Sequence, residues 1–557
     1  MNVMEKLAVR GTGGDLHTKR SETRLNQYLV FAFLFFITIA INLFCLEESP
    51  LFRYSATRDG SVYMDVGNAM KNGAVMYRDV FDHKGPLFLM LMWFMSSLPG
   101  KTITAYFVFE NIAAFFSAFI AYKIAKLYLD DILSLICSCC VLLFVFGGNL
   151  REATGSLEQL LLPLLFLFMY LFLLFWENQR SRENMEDDTA NYHIPRFKPC
   201  YFLIIGIICG VYLLSKMSIC FLFLFVGISI LVWLIVKKKY RFALQMLLYV
   251  TLGVAICFVP VLIYGFYYDC IADIWNAYVR FNQYYAATPR AKSEEISYLS
   301  IFLQPIEENR LSSPWLLVSI LCGLMLKRYE KWMRYTYIFS VFSFYIFIYI
   351  SKRVYYYMFL SFIPMSFLGL VWTLYLLRKP ISEFMKNRAF VRLCAILIVI
   401  TICIGTVCSN GNCLHSPRFL NREETGEEML AEVVSEVIPE GEKPNVLCFL
   451  FNGTSIYSLL KTTPQLRYFY TPNINLAKNQ SIFDEQKNYI IQGEPDVILS
   501  AIKLKDEWTC GQYEYIGESC RGTVKDPQDI FYVYIRATWV TGKDIELPSI
   551  QCLLSSQ

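Results

Sequence analysis

The sequence predicts a polytopic α-helical membrane protein with a C-terminal α/β domain, and three observations carry that prediction. Of 557 residues 55% are apolar and 16% aromatic while only 18% are charged, and the mean hydropathy is +0.40, which is too apolar for an ordinary soluble enzyme. Before position 406 the apolar excess falls in long blocks, most of them long enough to cross hydrocarbon as helices. After Cys408 the blocks shrink to strand lengths.

The segment 1–26 carries Lys6, Arg10, Lys19, Arg20 and Arg24, and no cleavage pattern follows the apolar run at 27–45. This predicts a basic cytoplasmic N-terminus (1–26) and a retained first span. The polar stretch 46–86 is too long for a hairpin and reads as an outer loop. The apolar block 87–98 ends at Pro99-Gly100, and its twelve residues reach only about 18 Å as a helix, so it reads as re-entrant or interfacial with no net crossing. Further spans are predicted at 104–122, 132–148, 159–176, 200–215, 218–236, 243–266, 313–326, 335–350, 355–376 and 388–406. With the first they make eleven, within an expected range of 11 to 13.

The basic clusters set the direction of the chain. Lys123 and Lys126, Arg180 and Arg182, Lys237 to Arg241, Lys327 to Arg334 and Arg378 to Arg388 all fall on the cytoplasmic side if 87–98 makes no net crossing. The same count puts 149–158, 267–312, 351–354 and everything after 406 outside. The formal net charge of +4 is small for this size and comes from these clusters, so it argues topology and excludes a nucleic-acid partner. Most of the 18 cysteines, including Cys137, Cys139, Cys140, Cys209, Cys220, Cys257, Cys394 and Cys403, lie in apolar runs and read as small buried hydrophobes.

The tail at 407–557 reads as an extracytoplasmic α/β domain. Strands are predicted at 446–451, 496–501 and 531–540. Helices are predicted at 429–438 and 454–461, the second capped by Thr454. Cys510 and Cys520 bracket a short loop and are either a small disulfide or two free thiols.

Candidate chemistry concentrates in the outer loop, where Asp59, Asp65, Asp79, Asp82, His83 and Lys84 lie close together along the chain. A carboxylate there can take a proton from a hydroxyl nucleophile, and a cation can hold a phosphate leaving group. Asp59 is the best base, in an expected turn Thr57-Arg58-Asp59-Gly60 that the freedom of Gly60 folds back over the membrane mouth. Asp82, His83 and Lys84 precede Gly85-Pro86, which stops the loop and starts the short apolar helix. Among weaker signals, Asp273 and Arg280 read as an acceptor groove or an interfacial anchor, Tyr355 to Tyr357 as a sugar platform or an aromatic belt, and Lys216 as a snorkelling turn residue or a phosphate contact.

The stretch DGSVYMDVGNAMKNGAVMYRDVFDHKGPLFLMLMW resembles the first outer loop of the GT-C superfamily of membrane glycosyltransferases. The resemblance is to the bacterial branch akin to dolichyl-phosphate-mannose protein mannosyltransferases and lipid A aminoarabinose transferases. In that family an Asp shortly after the first span activates the acceptor hydroxyl, and Asp59 matches it; His83-Lys84-Gly85-Pro86 is similar to the motif that closes the loop. Gly85 stands where many members have a second Pro, which would loosen the turn. GGNLREATGSLEQLLLPLL at 147–165 is similar to an outer turn of the family, with Glu152 and Glu158 as loop-ordering candidates. NAYVRFNQYY at 276–285, containing Asn282, and SKRVYYYMFLSFIP at 351–364, containing Arg353, resemble two further family segments. Many relatives have His where this chain has Tyr356 or Tyr357, so that residue's role does not carry over. The resemblance spans about 20–406 and implies a GT-C-type transmembrane domain at 27–406.

The resemblance further implies inverting transfer of a sugar from a polyprenyl-phosphate donor to a cell-envelope glycan, lipid or protein acceptor on the outer face of the cell membrane. Asp59 would be the base, and Lys84 and Arg353 would hold the donor phosphate. Asp82, His83, Glu152, Glu158, Asp273 and Asn282 would order the loop or bind acceptor. A divalent metal is optional: Asp59, Asp82, His83 and Glu152 offer oxygen or nitrogen atoms but lack the short fixed spacing of a metal motif. The alternatives are a flippase for a lipid-linked saccharide, which predicts ionisable residues deep in spans, and a non-catalytic envelope assembly factor.

Overall fold

The computed structural model describes residues 27–53, 58–147, 155–183, 196–287, 297–350, 354–378, 388–410, 419–420, 423–472, 474, 480–523, 526–543, 545 and 547. The chain enters the fold through helix α1 (Gln27–Cys45), followed by an outer-loop helix α2 (Arg58–Lys71) and the short apolar α3 (Pro86–Ser97). Then come α4 (Thr102–Ala125), α5 (Asp131–Phe146), α6 (Leu157–Glu183), α7 (Tyr201–Leu213), α8 (Cys220–Val236) and α9 (Tyr240–Tyr267). A short α10 (Ile271–Ile274) runs through a π-helical turn, Trp275–Arg280, into α11 (Phe281–Ala287). The helical part closes with α12 (Tyr298–Glu308), α13 (Ser313–Met325), α14 (Lys331–Tyr349), a 3₁₀ turn at Tyr356–Phe362, α15 (Ile363–Leu376) and α16 (Arg388–Ser409).

Among the described residues seven helices are long and apolar enough to cross a membrane: α1, α4, the Leu157–Arg180 part of α6, Met217–Val236, α9, Tyr357–Leu376 and Phe390–Ser409. The expected 11 to 13 is therefore corrected to seven among the described residues. Sequence hydropathy counts 132–148, 200–215 and 313–326 as full spans, but they fold as α5, α7 and α13 of 16, 13 and 13 residues. At 1.5 Å per residue these reach only about 20–24 Å. The predicted span at 335–350 lies within α14, which opens on Lys331-Trp332-Met333-Arg334 and is not among the seven.

Burial ranks the helices by depth. In α6, 78% of the apolar window is buried, against 22% in α9 and 11% in Phe390–Ser409, so α6 is central and the last helix is peripheral. The bundle pairs α4 with α6, α7 with α9, and α13 with α15. At one end the polar turns converge. Arg328 pairs with Glu177 of α6 at 2.7 Å, Lys239 donates to Gln179 at 2.8 Å, and the Tyr128 and Tyr329 hydroxyls are 2.6 Å apart. Arg328 and Arg378 both lie over the Tyr375 ring. Residues of three of the basic clusters thus share one end.

Helix α3 lies along α2. Its start donates from Leu87 N–H to the Leu214 carbonyl, and just past its end the Thr102 hydroxyl donates to Asn68 of α2 at 2.7 Å. Both ends of α3 thus contact residues outside the seven long apolar helices' cores, Leu214 at its start and Asn68 of α2 just past its end.

The C-terminal region carries a four-stranded sheet of order β1-β2-β4-β3, with β1 (Val446–Phe449), β2 (Val497–Ser500), β3 (Tyr513–Thr523) and β4 (Asp526–Arg536). β1 and β2 are parallel and every residue in them is buried; β2–β4 and β4–β3 are antiparallel. The helix Gly426–Val437 opens on a capping box in which Thr425 and Glu428 satisfy each other's backbone donors, and packs on β3. Thr454 stands at the cap of Ser455–Leu459 but makes no side-chain capping bond. Cys510 is exposed and Cys520 is buried beside Gly426, and the two are not joined to each other, so the bracketed stretch is the entry to β3 and not a disulfide loop. Of the membrane cysteines, Cys137, Cys139 and Cys257 are buried as expected.

Candidate active site

Asp59 lies in the first turn of α2 and not in a Gly-based turn as expected: Arg58, Asp59 and Gly60 are already helical. An acid suits that position because it faces the positive end of the helix dipole. One turn later Tyr63, 2% exposed, donates its hydroxyl to Asp59 Oδ2 at 3.0 Å. The Lys84 ammonium lies 5.5 Å from the centre of the same Tyr63 ring. One tyrosine therefore joins the candidate base to the candidate phosphate cation.

The closing motif is held from several sides. Asp82, 2% exposed, accepts the Lys84 backbone N–H on Oδ1 at 2.6 Å and the Tyr470 hydroxyl on Oδ2 at 2.8 Å. Burial raises the Asp82 carboxyl above the usual carboxylate range, and the neighbouring Lys84 opposes the rise. Tyr77 donates to the Lys84 carbonyl at 2.5 Å, and Asn282 of α11 donates to the His83 carbonyl at 2.7 Å. The His83 ring lies 5.0 Å from Tyr285, and its Nε2 is 3.4 Å from Lys84 Nζ.

Gly85 tightens this turn, contrary to the expectation that it loosens it. It is the N-cap of α3, with Pro86 at the first helical positions. Its N–H donates to the Ser215 carbonyl at 3.1 Å, and an added Cβ would meet the Leu214 carbonyl oxygen at 2.1 Å. A second Pro could not donate that bond.

Two residues that the sequence offers only as weaker signals, Lys216 and Tyr357, lie here. Lys216, in the turn between α7 and α8, forms an ion pair with Glu158 at the start of α6 and lies 5.4 Å from the Tyr357 ring centre. Burial first, and the like charge of Lys84 second, pull the Lys216 ammonium down to about 7, while Asp59 opposes that shift. The paired Glu158 carboxylate favours the charged form. Tyr357 stacks on Tyr355 with ring centres 5.4 Å apart, and the Tyr355 hydroxyl is 3.4 Å from that of Tyr285. The rings of His83, Tyr285, Tyr355 and Tyr357 thus form a continuous edge from the closing motif to Lys216.

Glu110 is an ionisable side chain fully buried inside the apolar helix α4. It accepts the Gly155 N–H at 2.7 Å and hydrogen-bonds Glu48, so its partners belong to the loops at the mouth. Asp273, in α10, sits beside Arg78 of the loop and Cys270, away from the closing motif's contacts given above. Glu152 and Arg353 lie outside the described residues.

Among the described residues no group of three or more His, Cys, Asp or Glu is arranged to hold a metal ion. Both Asp82 oxygens are already hydrogen-bonded, to Lys84 and to Tyr470. No chemical step is routed through a metal ion.

Residues 83–185 match the family described as dolichyl-phosphate-mannose-protein mannosyltransferase. The fold is similar to that of ArnT from Cupriavidus metallidurans in the apo state, with a TM-score of 0.59 at 10% identity over 93% of this chain and 99% of the other. It is likewise similar to that protein bound to undecaprenyl phosphate, with a TM-score of 0.56 at 10% identity over 92% and 98% of the two chains. No curated protein matches the sequence. The matched segment contains the closing motif, and over nearly its whole length the chain shares the fold of the ArnT structures.

Proposed function

We propose that this chain transfers a sugar from a polyprenyl-phosphate donor to a cell-envelope acceptor on the outer face of the membrane. The observation that carries the reading is the Asp59–Tyr63–Lys84 arrangement at the loop end of the bundle. The related ArnT structure with undecaprenyl phosphate supports the donor class. In this reading residues 1–26 are cytoplasmic, 27–406 form the membrane transferase domain and 407–557 an outer domain.

The donor keeps its isoprenoid in lipid and presents its phosphate to Lys84, with Lys216 close by and Arg353 as a third cation. Asp59 accepts the proton of the acceptor hydroxyl as that oxygen attacks the anomeric carbon. The bond from the sugar to the phosphate oxygen breaks, and the departing phosphate is stabilised by the cations in a partly dehydrated site. A single displacement inverts the anomeric centre. Asp82, His83, Glu158 and Asn282 hold Lys84 and Lys216 in place, and Glu152 and Asp273 are assigned to the loop or the acceptor.

The test compares polyprenyl-phosphate-sugar pools and envelope glycans of a wild-type and a deletion strain. One lipid-linked sugar should accumulate in the deletion strain while one glycan modification disappears. Unchanged pools and glycans would contradict the proposal. A donor trapped on the inner leaflet would instead favour a flippase.

A further inference from the structure

The geometry points to Tyr470 as a positioning residue of the candidate site, supplied by the C-terminal domain: its phenol holds the Asp82 carboxylate that in turn fixes the backbone of Lys84. The inference rests on the proposed donor-phosphate role of Lys84.

Tyr470 is itself rigidly placed. It pairs with Cys448 at the edge of β1, flanked by a Cys448 N–H bond to the Phe469 carbonyl at 2.8 Å and a Thr471 N–H bond to the Phe451 carbonyl at 3.1 Å. The Thr471 hydroxyl donates to Gln486 at 2.6 Å. Tyr470 is 5% exposed, so its hydroxyl and the Asp82 carboxylate meet away from water. Beside this bond the Phe81 N–H donates to the Arg467 carbonyl at 3.0 Å, and the Phe81 and Tyr468 rings pack at 4.9 Å. The sheet therefore grips the last residues of the loop immediately before Lys84.

The same domain grips the loop at two earlier points. Arg53 pairs with Glu424 and Glu428 at 2.6 and 2.8 Å, and Asp65 of α2 faces Thr454 and Ser458. Those contacts hold the loop as a body. The Tyr470 hydroxyl is different because it bonds the carboxylate whose other oxygen accepts the Lys84 N–H, and removing it leaves a buried oxygen without its donor.

The experiment uses the full chain in detergent, with undecaprenyl phosphate as the probe. Tyr470→Phe should bind it about tenfold more weakly than wild type. In an Asp82→Asn background the same change should cost nothing further, because the two residues act as one unit. Amide exchange at 80–86 should quicken in Tyr470→Phe while strands 446–449 and 497–500 stay protected. Wild-type affinity in Tyr470→Phe, or unchanged exchange at 80–86, would overturn the inference. Wild-type affinity in Lys84→Met would instead overturn the donor-phosphate reading on which it rests.

Discussion

Tyr63 donates a 3.0 Å hydrogen bond to Asp59 Oδ2 while its ring lies under the Lys84 ammonium. The hydroxyl and the ring therefore serve two different partners, and substitutions can separate them. Tyr63→Phe keeps the ring and should lower sugar transfer about tenfold through Asp59 alone. Tyr63→Leu removes both contacts and should also weaken undecaprenyl phosphate binding. Equal affinities in the two variants would show that the ring does nothing for Lys84.

Gly85 is set by close approach. A Cβ there would meet the Leu214 carbonyl oxygen at 2.1 Å, so Gly85→Ala must push apart the α3 start and the α7–α8 turn. The expected cost is about 2 kcal/mol, read as a fall in the melting temperature of the purified protein. Gly85→Pro adds the loss of the bond to Ser215 and should be worse. An unchanged melting temperature in Gly85→Ala would contradict the packing.

Lys216 gives the site a pH dependence. With its ammonium lowered to about 7, it is charged below that value and neutral above it, so undecaprenyl phosphate binding should weaken as pH rises through 7. The phosphate's own second ionisation, near 6, lies below this window. Lys216→Gln should bind weakly throughout and lose the limb. A wild-type profile flat between pH 6.5 and 8.5 would contradict the assignment.

Asp65 makes the opposite kind of contribution, to stability. It is 1% exposed, and burial raises its carboxyl well above the usual value, against the pull of Thr454 and Ser458. The folded chain therefore holds a proton that the unfolded chain releases near pH 4, so this contribution is greatest below that pH and is lost as pH rises through the folded value. Asp65→Asn should flatten the fall in melting temperature from pH 5 to 8. The same slope in both proteins would contradict a buried acid.

The membrane class and the start of the short apolar helix are legible in the sequence because they are local. Gly85-Pro86 marks the start of α3, and twelve residues cannot span hydrocarbon. Hydropathy misreads α5, α7 and α13, since it reports composition and not where a helix stops. Arg58-Asp59-Gly60 carries turn residues, yet packing of α2 on α3 makes it helical. In the sequence β3 reads as a cysteine-bracketed loop because Cys510 and Cys520 outweigh the alternation in Tyr513-Glu514-Tyr515-Ile516. Lys216 gives only a weak local signal, since its partner Glu158 belongs to a different helix far back along the chain, and Tyr470 lies still farther from Asp82.

The central claim is that Asp59 takes the acceptor proton. It is tested most directly by purified wild-type and Asp59→Asn protein, supplied with the polyprenyl-phosphate-sugar pool extracted from a deletion strain and with cell-envelope acceptor. Transfer should fall by about 10²–10⁴-fold in the variant, with undecaprenyl phosphate affinity and melting temperature close to wild type. Undiminished transfer by a folded Asp59→Asn protein would contradict it.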